Sequence, residues 1–109
     1  MNFIQARVQF PAGAPYDIVD EASYILENKA RELQKELEAE YPDVELFKDL
    51  LVMADGNGSM AFAFLVFQNI EEVNFDVEKY AARWREIMPV IPDAREISFD
   101  FSTAGGGDG

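Results

Sequence analysis

Few side chains in this sequence are equipped for covalent chemistry. Histidine and cysteine are both absent. That removes Cys-His zinc sites, thiol nucleophiles, Ser-His-Asp triads and disulfides. The carboxylates form two local clusters, Asp17/Asp20/Glu21 and Glu71-Glu72. Calcium needs about six to eight oxygen ligands at a looped spacing, and no EF-hand pattern is present. Solvated faces and helix caps account for both clusters. Gly105-Gly106-Gly107 has the composition of a phosphate loop, but no helix follows it, so it reads as a tail. Asp55-Gly56-Asn57-Gly58-Ser59 reads as a hairpin turn rather than a ligand loop. Trp84 falls in an apolar helical stripe and is assigned to the core. Arg7 is the one basic residue in the first alternating segment. Its bland role is an ion pair with Asp100 or Glu96; its sharper role is contact with an anionic or polar ligand. No nucleophile-and-base arrangement emerges. The sequence predicts no enzyme, no cofactor and no metal site.

What remains is binding, and the elements that would build a binding surface are legible. The 109 residues suit a single domain. Nine basic residues against 21 acidic ones give a formal net charge of −12. That argues against nucleic acid and against unaided docking to an anionic membrane. The 49% hydrophobic content is too rich for a disordered acidic tail, so a packed core is expected. No stretch has the length of a membrane span, and residues 1–10 do not resemble a signal peptide.

Residues 2–10 alternate, with Ile4, Ala6, Val8 and Phe10 on one face and Phe3, Gln5, Arg7 and Gln9 on the other. After a Pro/Gly break, residues 16–40 repeat at helical period, with Val19, Ala22, Leu26, Ala30, Leu33 and Leu37 in one stripe. Ile18 and Ile25 flank that stripe and either widen it or meet a neighbouring domain. Residues 44–53 read as a strand with room for a bulge at Lys48 and Asp49. Residues 60–67 form a second strand that is apolar on both faces, as expected of a central one. Residues 76–88 are helical until Pro89. Residues 96–101 alternate again, with Ile97, Phe99 and Phe101 together.

The order strand, helix, strand, strand, helix, strand predicts an α+β, ferredoxin-like split βαβ (βαββαβ) over residues 1–102, followed by a Gly-rich tail or linker at 103–109. The fold is a four-stranded antiparallel sheet with two helices on one face. Two helices leave the other sheet face uncovered. That face cannot be wholly polar, because both parities of residues 60–67 are apolar. A mixture of Phe62, Phe64 or Phe99 with Gln5, Arg7 and Gln9 makes an amphipathic patch, which marks an interface or a ligand groove.

The run Arg7-Val8-Gln9-Phe10-Pro11-Ala12-Gly13-Ala14, followed by a long acidic helix, resembles the start of a porter subdomain in resistance-nodulation-division (RND) transporters of the acriflavine-resistance type. Pro42-Asp43-Val44-Glu45, the apolar strand 60–68 after a Gly-rich turn, Ile91-Pro92-Asp93-Ala94 and the closing Gly-rich run fall in the family's order and spacing. The resemblance spans essentially the whole chain, and is strongest to the first subdomain of the C-terminal periplasmic porter unit. It implies a ferredoxin-like fold that packs against other porter subdomains and lines a cleft for small-molecule export substrates. It also implies a larger multidrug efflux protein, an inner-membrane homotrimer working with a periplasmic adaptor and an outer-membrane channel. This chain would then be a periplasmic fragment. Carried over by position, the substrate-facing residues are Gln5, Arg7 and Gln9, Phe64 and Val66, and Ile97, Phe99 and Phe101. The loop at 55–59 is shorter than the family's Gly/Phe switch loop and has no phenylalanine. The alternative reading is a stand-alone ferredoxin-like module that binds a small ligand or self-associates.

Overall fold

The computed structural model describes residues 2–102; the Gly-rich segment 103–109 lies outside the described residues. Strand β1 (Asn2–Gln9) leads into helix α1 (Tyr16–Glu40), then strands β2 (Phe47–Asp55) and β3 (Met60–Phe67), helix α2 (Val77–Ile87) and strand β4 (Glu96–Ser102). A short 3₁₀ turn at Ile70–Glu72 precedes α2. The sheet order is β2-β3-β1-β4 and every neighbouring pair is antiparallel. This is the ferredoxin-like arrangement, with the first and third strands at the centre.

Local chemistry sets the boundaries. Pro15 immediately precedes α1, and its carbonyl accepts from the N–H groups of Ile18 and Val19 at 3.1 and 3.3 Å. The helix stops at Tyr41, whose N–H donates to the Leu37 carbonyl at 2.8 Å, and Pro42 follows. The Asp76 carboxylate caps α2 by accepting from the Lys79 N–H at 3.3 Å. Pro89 follows its last turn, since a proline cannot continue the hydrogen-bond ladder.

Both helices lie on one side of the sheet. Ile4, Ala6 and Val8 of β1 and Ala61, Ala63, Leu65 and Phe67 of β3 are buried against Leu26, Ala30 and Leu33 of α1 and Tyr80 and Trp84 of α2. The small alanines on the central strands let the helices approach closely. Ile18 and Ile25 also pack against this core, so they widen the buried face of α1. The helices are tied to each other by Arg83, which donates to both carboxylate oxygens of Glu36 at 3.1 and 2.9 Å, and by the Tyr80 hydroxyl, which donates to Glu40.

Strand β2 begins and ends later than expected from residues 44–53. Val44 and Leu46 supply the apolar signal, but they belong to the connection, where Leu46 is buried and its carbonyl accepts from the Gln68 N–H at 2.9 Å. The bulge falls between Phe47 and Asp49, leaving Lys48 as the extra residue. The β2–β3 hairpin is a tight turn. Asp55 Oδ1 accepts from the N–H groups of Asn57 and Gly58 at 3.0 and 3.1 Å.

Candidate functional site

The uncovered side of the sheet is fixed residue by residue through the strand register. Arg7 stands between Phe62 of β3 and Ser98 of β4; Gln5 stands between Phe64 and Asp100; Gln9 stands between Met60 and Glu96. Beyond β3, Leu51 is opposite Phe64 and Met53 opposite Phe62. The face therefore divides lengthwise. Over the middle of β2 and β3 it is apolar, with Leu51, Met53, Met60, Phe62 and Phe64, while Asp49 and Asp55 stand at the two ends of β2. Over β1 and β4 it is polar, with Gln5, Arg7, Glu96, Ser98 and Asp100.

Phe3, at the start of β1, crosses the divide. Its ring meets Phe64 edge-on at 5.6 Å between centroids, and Phe64 meets Phe62 edge-on at 5.9 Å. This is the arrangement the ring quadrupole favours. All three rings are half-buried, while Leu51 and Met53 are each 56% exposed. The face thus presents a chain of three aromatic edges flanked by two flexible apolar side chains.

Among the described residues Arg7 is the one cation at the paired positions of this face, which also carries Asp49, Asp55, Glu96 and Asp100. The ion pair with Asp100 or Glu96 does not form; among the described residues Arg7 has no salt bridge. Its direct cross-strand neighbour on β4 is Ser98, whose Oγ is buried without a hydrogen-bond partner.

Of the eight residues assigned to a substrate face, the structure brings Gln5, Arg7 and Phe64 together there, half-buried. Two more share the face but are not available. Val66 is only 6% exposed. Gln9 Nε2 donates to the carbonyls of Gly58, Ser59 and Phe10 at 2.9, 3.2 and 3.0 Å, which closes the hairpin rather than offering a polar contact. The remaining three, Ile97, Phe99 and Phe101, are on the opposite side. They pair with Val8, Ala6 and Ile4, whose side chains face the helices. Phe99 packs edge-on to Trp84 at 5.6 Å, and Phe101 is 45% exposed near the strand's end. The reason is the other parity of β4: Glu96, Ser98, Asp100 and Ser102 are all polar, so the apolar set turns to the core.

Leu51, Met53 and Met60 belong to the face and were not singled out from sequence. The signal was there for β2, where Leu50, Leu51, Val52 and Met53 make both parities apolar, as in β3.

Three displaced titrations mark the contact of α1 with α2. The hydrogen bond from Arg83 holds the Glu36 carboxyl below its ordinary value, and the Arg83 guanidinium is held charged by Glu36 and Glu86. Burial, then the bond to Glu40, pushes the Tyr80 hydroxyl well above the usual tyrosine range. Among the described residues no three acidic side chains gather closely enough to hold a metal ion. No protein-family model matches this chain, and no curated protein matches it significantly.

Proposed function

We propose that this chain is a periplasmic porter subdomain of a proton-driven RND exporter, contributing one wall of a substrate cleft and packing against neighbouring subdomains. The observation that carries the reading is the uncovered sheet face. The fold's own helices protect one side, and the other side holds Phe3, Phe62 and Phe64 edge to edge beside Gln5 and Arg7. A contiguous apolar patch with a polar margin fits a surface that a neighbour or a ligand covers. The motif order of the sequence supplies the family.

The role is binding without chemistry. The aromatic edges take apolar bodies of varied shape, while Gln5 and Arg7 add a few oriented polar contacts. Movement of one subdomain against the next would open and close the cleft. No helix among the described residues is long and apolar enough to cross a membrane, so the reading assigns the spanning helices, the proton path and the trimer contacts to other parts of a longer polypeptide. The periplasmic adaptor, the outer-membrane channel and the export substrates are partners of that whole protein.

The test is the size and place of the native product. An antibody raised to this domain is used to blot fractionated source cells. The proposal expects a band many times larger than this chain in the inner-membrane fraction. A band of this chain's own size outside the membranes overturns it.

A further inference from the structure

We infer that the chain carries a second binding site, away from the uncovered sheet face, that takes the anion of a medium-chain fatty acid. A groove of about 430 Å³ opens where the end of α2, the connection 88–95 and β4 meet. That volume lies within the usual range for small-molecule sites, about 300–1,000 Å³. Met88, Val90, Ile97 and Phe99 supply an apolar wall, and Val90 is 92% exposed.

Two arginines, Arg85 and Arg95, line the same groove. They are two of only nine basic residues in a chain of net charge −12, so their meeting at one concavity runs against the overall charge. Arg83, two residues earlier, is engaged by Glu36 and Glu86. Arg85 and Arg95 have no salt bridge among the described residues. The Arg85 guanidinium instead lies over the Phe99 ring, 5.0 Å from its centroid, which holds the charge against the apolar wall. Glu96 is the one acidic residue on the rim, but it pairs with Gln9 and so points to the other side of the sheet from Ile97 and Phe99.

An apolar groove with two arginines in its lining matches an alkyl chain ending on a carboxylate. The chain lies along the wall and the carboxylate accepts from the guanidinium N–H groups. The carbonyl end of α2 faces the same corner and repels an anion, so the attraction comes from the two arginines and not from the backbone. The same charges disfavour an alkyl ammonium. The site stands on the helix-covered side of the sheet and does not rest on the transporter reading.

The test is a titration of the full chain with decanoate, followed by amide proton–nitrogen spectra and by the emission of Trp84, whose ring lies 5.6 Å from Phe99. Saturable shifts are expected for the amides of residues 85–99, with a change in Trp84 emission. Arg85→Gln and Arg95→Gln should each weaken decanoate about tenfold, the scale of a lost charge-assisted hydrogen bond, while Arg85→Lys weakens it less. Both arginines are exposed, and unchanged spectra elsewhere confirm that the variants fold. Equal shifts with decyltrimethylammonium, unchanged affinity in both glutamine variants, or shifts confined to Phe3, Phe62 and Phe64 would each overturn the proposal.

Discussion

The side-chain amide of Gln9 donates to the carbonyl of Gly58 at 2.9 Å, joining the end of the first strand to a hairpin 49 residues away. The same nitrogen reaches the carbonyls of Ser59 and Phe10. Its removal takes this donor from the Gly58 and Phe10 carbonyls, while the Ser59 carbonyl keeps the Phe10 N–H at 2.9 Å. Gln9→Ala should destabilise the domain by about 1–3 kcal/mol, and Gln9→Glu by more, because a carboxylate would face three carbonyls. Chemical denaturation of the two variants measures both effects. A wild-type midpoint in Gln9→Glu refutes the strap.

The two parities of β3 make a second, internal comparison. Phe67 is buried in the core against Phe75, whereas Phe62 is half-buried on the uncovered face. Phe67→Ala should cost about 3–5 kcal/mol. Phe62→Ala should cost about 1 kcal/mol, the scale of a lost ring pair. Urea midpoints of the pair test the assignment of faces. Equal losses would mean that the outward face is packed like a core.

How far the sequence reached follows the same division. Local periodicity placed both helices and the β3 strand, because each is decided within its own segment. It also put Phe3, Gln5 and Arg7 outward, since Ile4, Ala6 and Val8 had to face the helices. Periodicity left the facing of the last strand open, and it was the positional carry-over from the family resemblance that set Ile97, Phe99 and Phe101 on the wrong side. Their mutual alignment is local, but the side they face is set by antiparallel pairing with β1, some 90 residues away in the chain. The polar partners Glu96, Ser98 and Asp100 carried that information. In β2, Leu50, Leu51, Val52 and Met53 are apolar at both parities, so the segment does not itself say that Leu51 and Met53 are the outward pair; the register with β3 decides it. The strap formed by Gln9 had no sequence signal, because it depends on where the hairpin lands.

The contact between the helices predicts the pH response. The Arg83 hydrogen bond lowers the Glu36 carboxyl below 4.5. Its contribution is therefore complete above that pH and is lost as pH falls through the lowered value. Glu36→Gln should flatten the acid limb and cost about 0.2–1 kcal/mol at neutral pH, as for other exposed pairs. At the alkaline end, burial and Glu40 keep the Tyr80 proton on beyond 10.0, where the unfolded chain releases it. Stability should fall as pH rises above that point, and Tyr80→Phe should remove this loss. Denaturation midpoints across pH, with both variants, decide the matter.

Ser98 offers a prediction of opposite sign. Its Oγ is buried with no partner, an arrangement that disfavours the folded state. Ser98→Ala should leave stability unchanged or raise it by about 1 kcal/mol. A clear loss in thermal or urea midpoint would reveal a hydrogen bond that the geometry does not contain.

Gly13 isolates a backbone effect. Its φ is +85°, a region closed to most side chains, yet a Cβ added there meets nothing within 4 Å. Gly13→Ala should lower stability by about 1 kcal/mol or more through strain alone, with no loss of packing. An unchanged urea midpoint for this variant would refute it.

The lengthwise division of the sheet face gives its two halves opposite thermodynamic temperaments. A body resting on Leu51, Met53, Phe62 and Phe64 expels water, and such contact tightens on warming from the cold and under excluded salts. A body resting on Arg7, Asp100 and Glu96 is held by charge, and added electrolyte screens that hold within about 10 Å at 0.1 M. Temperature and ionic strength are thus separate handles on one surface. Chilling loosens its β2–β3 margin, and salt loosens its β1–β4 margin, so whatever covers the face lets go first from one side or the other.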